Sequence, residues 1–96
     1  NLVAVVDYNK IQSLDYVDNV LPLAPLADKW RAFRWDVEEV DGHDEAALVA
    51  ALSNHSTGKP RVVLAHTVKG KGVPRIENTV ASHYTPAQAG DAALFG

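Results

Sequence analysis

Residues 35–66, WDVEEVDGHDEAALVAALSNHSTGKPRVVLAH, decide the fold. Trp35 to Val40 alternates apolar and polar side chains, as a strand with one wet face does, and Asp41-Gly42 punctuates its end. Asp44 offers a side-chain oxygen to cap a helix, and Ala47, Leu48, Ala51 and Leu52 form that helix's apolar stripe, which runs out at Ser53-Asn54. Gly58-Lys59-Pro60 turns the chain into Arg61–His66, where Val62-Val63-Leu64-Ala65 is an apolar run of strand length. Strand, helix and strand at this spacing predict parallel neighbours joined by a right-handed crossover, because parallel strands cannot be linked by a tight turn.

The pattern extends upstream. Leu2 to Val6 is a continuous apolar run ending in Asp7-Tyr8-Asn9, which reads as a strand buried on both faces with polar residues at its carboxyl end, where α/β sheets place chemistry. Asp15, Asp18, Asn19, Pro22 and Pro25 break the next stretch into a loop with one short helical turn around Tyr16 and Val17. Leu26, Trp30 and Phe33 recur at helical spacing, so an amphipathic helix starts near Pro25 with Trp30 and Phe33 in the core. Trp35–Val40 is expected at or near a sheet edge. The fold class is therefore α/β, a parallel sheet with crossover helices. A two-sided apolar strand at the start of so small a sheet needs a neighbour, so a missing segment or a partner is expected.

Composition narrows the function classes. With 96 residues, 47% of them hydrophobic, one globular unit is the expected ceiling. No apolar run approaches the roughly 18 residues of a bilayer span, and no targeting segment is visible, so no membrane partner is expected and a cytoplasmic setting is. Zero cysteines leave only oxygen and imidazole as metal ligands. The net charge of −3 gives no footprint for nucleic acid. Asp36, Glu38, Glu39, Asp41, Asp44 and Glu45 crowd one stretch, while Lys59, Arg61, Lys69, Lys71 and Arg75 form a run that reads first as a solvated basic face and second as an attractor of phosphorylated substrates.

Candidate chemistry gathers at strand ends and in the last third of the chain. Asn9 and nearby main-chain carbonyls are hard oxygen donors of the kind Mg²⁺ or Ca²⁺ accepts, although Asn at a strand end is commonly a turn former. His83, in an irregular extended stretch, offers an imidazole able to donate to a diphosphate or sugar oxygen. His66 reads as a hydrogen-bonded strand end, His43 as part of a helix start and His55 as surface loop. Lys69-Gly70-Lys71-Gly72 is a weak phosphate signal that matches neither a P-loop nor a dinucleotide fingerprint.

Taken together, Asn1–Ile11, Pro25–Phe33, Val40-Asp41-Gly42-His43-Asp44, Lys59-Pro60 and His66–Gly72 resemble the transketolase family, in order and over nearly the whole chain. The likeness is strongest to the N-terminal subunits of two-subunit members. The resemblance implies that residues 1–96 are the latter part of a thiamine diphosphate-binding domain of the diphosphate-type, with thiamine diphosphate and Mg²⁺ or Ca²⁺ as cofactors. It implies that Asn9 and the Ile11 carbonyl ligate the metal, that the Asp of a Gly-Asp-Gly segment, not present in this sequence, completes the protein ligands, and that His83 touches the cofactor diphosphate and the donor ketose as a catalytic group. The family's His-Gly pair is His83-Tyr84 here, and Glu77–Ser82 departs from the family pattern.

The implied reaction is transfer of a two-carbon ketol unit from a ketose phosphate to an aldose phosphate. The implied partners are a pyrimidine-binding domain or C-terminal transketolase subunit, in a homodimer or heterotetramer, and the chain alone is expected to be inactive. Rival expectations are a deoxyxylulose-phosphate synthase, a 2-oxoacid dehydrogenase subunit, and a non-catalytic α/β interaction module.

Overall fold

The computed structural model describes residues 2–53 and 57–95. His55 lies outside them. Instead of the single unit expected from composition, the chain forms two: Asn1–Tyr8 with Leu23–Thr67, and Asn9–Pro22 with Val68–Gly96.

The first unit is a three-stranded parallel sheet of order β1-β3-β2, with β1 at Val3–Tyr8, β2 at Asp36–Asp41 and β3 at Arg61–His66. The strands end in one row, because β3 pairs Tyr8 with His66 on one side and Asp41 with His66 on the other. Two helices belong to this unit, α2 at Leu26–Ala32 and α3 at Glu45–Ser53; α1, Val17–Val20, belongs to the second.

The α/β reading holds, and so do the strand–helix–strand order and the edge position of β2. Two expectations are corrected. The central strand is β3, with Val62, Val63 and Leu64 at 0% exposure, whereas β1 occupies the other edge. Its residues alternate between exposed and half-buried, with Val3 at 48% and Val5 at 54% exposure. Both β1 and β3 are apolar enough for the middle of a sheet, and the continuous apolar run alone did not say which would take it. Phe33 is not core: it is 79% exposed, just beyond the end of α2, while Trp30 is half-buried and packs edge-on against Trp35 at 4.7 Å between ring centroids.

Capping and close packing explain the local boundaries. Asp44 Oδ1 accepts the Ala47 backbone N–H at 3.0 Å, the bond an N-cap makes to the third helical residue. From there α3 turns Ala51 into the core, fully buried. Gly42 follows β2 at a point where any Cβ would run into Thr67 Cγ2 and crowd Ala65 Cβ at 3.1 Å, so the side chain must be hydrogen. Its N–H donates to the His66 carbonyl at 2.8 Å, which ties the end of β2 to the end of β3. The Arg61 guanidinium bridges Glu38 at 2.8 Å and the Ala51 carbonyl at 2.9 Å, joining β3 to both β2 and α3.

Candidate functional site

At the carboxyl row of the sheet, the Thr67 hydroxyl donates to Asp7 Oδ1. His66 Nε2 lies 2.9 Å from Glu39 Oε1, and the Tyr8 ring stands 5.7 Å from the His66 ring between centroids. His66 is thus a hydrogen-bonded strand end. His43 is exposed, and its backbone N–H donates to Asp41 Oδ1 at 2.9 Å, shaping the turn before α3.

The residues singled out as ligands lie in the second unit. Directly after β1, the Ile11 N–H donates to Asn9 Oδ1 at 2.9 Å, so Asn9 does form the Asx turn that its position suggested. Lys10, between them, takes a left-handed φ of 66° that closes the turn. Ile11 then makes an antiparallel bridge with Tyr16, and the two bonds of that bridge flank the pair rather than use it: Val17 N–H to the Lys10 carbonyl and Gln12 N–H to the Asp15 carbonyl, each 2.8 Å. This is the non-hydrogen-bonded kind of antiparallel pair. It leaves the Ile11 carbonyl outside the ladder.

His83 sits on a 3₁₀ turn, Val80–Tyr84, and is exposed. Its ring meets Tyr84 edge-on at 4.9 Å between centroids. The turn is fastened from below by Ser82 Oγ donating to the Thr79 carbonyl at 2.6 Å and by Thr79 Oγ1 donating to the Ile76 carbonyl at 3.0 Å.

The glycine loop before it offers less to a phosphate than its sequence suggested. Gly72 N–H donates to Glu77 Oε2 at 2.9 Å, which gives that amide a carboxylate of the chain itself. Gly70 has φ +69°, and a Cβ there would sit 2.9 Å from the Ile76 carbonyl oxygen. Two of the five cations of the basic run are held in ion pairs: Arg61 with Glu38, and Arg75 with Asp91, to which Arg75 Nε donates at 2.9 Å. The Arg75 hydrogen bond, reinforced by the Gln88 backbone N–H, holds the Asp91 carboxyl below the usual carboxylate range. No group of three or more His, Cys, Asp or Glu able to hold a metal occurs among the described residues.

Residues 1–95 match the family described as the transketolase, thiamine diphosphate binding domain. The chain belongs to the transketolase family. It is 45% identical over 85 residues to the 6-deoxy-6-sulfo-D-fructose transketolase subunit of Clostridium sp. (strain MSTE9), covering 86% of this chain and 31% of that protein. It is 34% identical to an apulose-4-phosphate transketolase subunit of Phocaeicola vulgatus, covering 88% of this chain and 31% of that one. Transketolase-like protein 2 of Bos taurus is 39% identical over 90% of this chain and 14% of its own length. The chain thus spans about a third of the first two relatives and a smaller share of the third. No helix among the described residues is long and apolar enough to cross a membrane.

For this transketolase-family chain, sequence reasoning singled out Asn9, Ile11 and His83 as candidates and missed several local features of both units. The left-handed Lys10, the Tyr16 bridge and the Asp7–Thr67 bond have no signature in a single sequence. Their partners are set by register, and in the last case they lie 60 positions apart.

Proposed function

We propose that residues 1–96 form the latter part of a thiamine diphosphate-binding domain in an enzyme that moves a two-carbon ketol unit from a ketose phosphate to an aldose phosphate. The observation that carries this is the Asn9 turn, in a chain of the transketolase family: it leaves the Ile11 carbonyl outside the ladder, just past the end of β1. Asn9 Oδ1 accepts one N–H, and an amide oxygen has a second lone pair to offer. Two neutral oxygens so close in sequence suit Mg²⁺ or Ca²⁺, which bind oxygen and accept further ligands from phosphates and carboxylates.

Asn9 and Ile11 hold the metal that neutralises the diphosphate. Exposed His83 donates a hydrogen bond to a diphosphate or donor-sugar oxygen. When bound, thiamine diphosphate supplies the carbon–carbon chemistry, and the protein supplies binding and orientation. A pyrimidine-binding domain or a C-terminal transketolase subunit completes the site in a homodimer or heterotetramer; relatives named as subunits support the two-chain form. On this account the chain alone is inactive, the setting is cytoplasmic, and neither nucleic acid nor a membrane is a partner. Relatives named for a sulfonated sugar and for a sugar phosphate extend the proposed substrate class to ketoses carrying either group.

The test uses the full-length protein with its partner subunit, thiamine diphosphate and Mg²⁺. Two-carbon transfer from a ketose phosphate or sulfonated ketose to an aldose phosphate is the expected result. Decarboxylation of pyruvate without such transfer would point to a synthase or 2-oxoacid dehydrogenase instead.

A further inference from the structure

Asn9, Ile11 and His83 lie in one unit but on two separate stretches of chain, Asn9–Pro22 and the chain from Val68 onward. One side chain spans the two. The Tyr16 hydroxyl donates to the Asn78 carbonyl at 3.3 Å, across 62 positions of sequence.

Both ends of that bond are fixed by other contacts. On the near side, Tyr16 is the bridge partner of Ile11, its own N–H is held by Asp15 Oδ1 at 2.7 Å, and its neighbour Val17 is buried at 4% exposure. On the far side, Asn78 takes a left-handed φ of 52° and its N–H closes the glycine loop onto the Lys69 carbonyl at 2.8 Å. Thr79, next in sequence, carries the hydrogen bonds to Ile76 and from Ser82 that fasten the turn holding His83. The path from the Ile11 turn to the His83 turn thus enters Tyr16 through the flanking bonds of its bridge with Ile11 and runs on through Asn78, Thr79 and Ser82, with a hydrogen bond or a peptide bond at each later step.

We propose that Tyr16 is a positioning residue whose hydroxyl latches the segment carrying His83 onto the turn carrying Asn9 and Ile11. The inference rests on the proposed roles of those three residues for its functional meaning, but the latch has its own readout. The side chain itself touches neither metal nor substrate in this account. It sets the distance between the groups that do.

The test is amide hydrogen exchange on the full-length protein, without cofactor, comparing wild type with Tyr16→Phe, which keeps the ring and the backbone bridge and removes only the hydroxyl. Loss of one exposed hydrogen bond should speed exchange of the Asn78 and Ser82 amides about two- to tenfold while Val62–Ala65 exchange as in wild type. Unchanged rates at Asn78 and Ser82, or a rise spread equally over Val62–Ala65, would overturn the latch. Steady-state kinetics then separate the latch from the site: a local rise in exchange with a several-fold higher donor KM and little change in kcat supports both. A local rise with unaltered KM keeps the latch and removes His83 from the donor site.

Discussion

Thr67 and Asp7 join the carboxyl ends of β3 and β1 through a hydroxyl-to-carboxylate hydrogen bond, just where both strands leave the sheet. The Thr67 N–H also reaches the Tyr8 carbonyl, at 3.4 Å, and the Thr67 methyl group fills the space that Gly42 leaves open. One side chain therefore meets the ends of all three strands. Hydroxyl and methyl group have separate tasks, which a pair of substitutions can divide.

Thr67→Val keeps the shape and removes the donor, leaving Asp7 without this hydrogen bond. A bond to a charged acceptor contributes about 1.5–3 kcal/mol, toward the low end at an exposed site such as this one. Urea unfolding of the full-length protein should show a loss of about 1–2 kcal/mol, and Thr67→Ser should recover most of it. A loss in Thr67→Ser with Thr67→Val unchanged would assign the effect to the methyl group instead.

Asp44 is a second local determinant, isolated enough to test alone. Asp44→Ala removes the acceptor for the Ala47 N–H and should cost about 1 kcal/mol, measured by chemical denaturation. Asp44→Ser should restore most of it, since serine caps as well as aspartate does.

The Arg75–Asp91 pair predicts a response to acid. Because the Asp91 carboxyl is held below its ordinary value, by the Arg75 hydrogen bond first and the Gln88 N–H second, its contribution is complete above the pKa of an unfolded aspartate. It is lost as pH falls through the depressed folded value. Limited proteolysis between Pro86 and Asp91 should therefore accelerate as the solution is acidified past the ordinary aspartate range. In Asp91→Asn the same segment should be cut readily at neutral pH, with a flatter acid dependence.

Periodic and capping signals made most of the sheet unit legible in the sequence. The alternation after Trp35, the cap at Asp44 and the apolar run after Arg61 each depend on neighbours close in the chain, and each lies within a residue or two of its observed element. Strand order was not legible in the same way. Val3–Val6 and Val62–Ala65 are equally apolar, and only pairing on both sides makes β3 the central strand. Phe33 failed for another reason: helical spacing rightly placed it beside Leu26 and Trp30, with which it lines one open hollow, but among the described residues no other element covers Phe33 there, and it stays 79% exposed. At the candidate site, residue type pointed to Asn9 and a nearby carbonyl, and the family resemblance implied that the carbonyl is that of Ile11. The feature that frees the Ile11 carbonyl depends on its register with Tyr16, which no local pattern encodes.

The most direct measurement is thiamine diphosphate binding to the full-length protein, with its partner subunit, titrated against Mg²⁺ and Ca²⁺ for wild type and Asn9→Ala. With Asn9 and the Ile11 carbonyl as metal ligands, Asn9→Ala weakens the metal-dependent part of binding about ten- to hundredfold and leaves metal-independent binding as it was. The same metal dependence in both proteins would contradict the account.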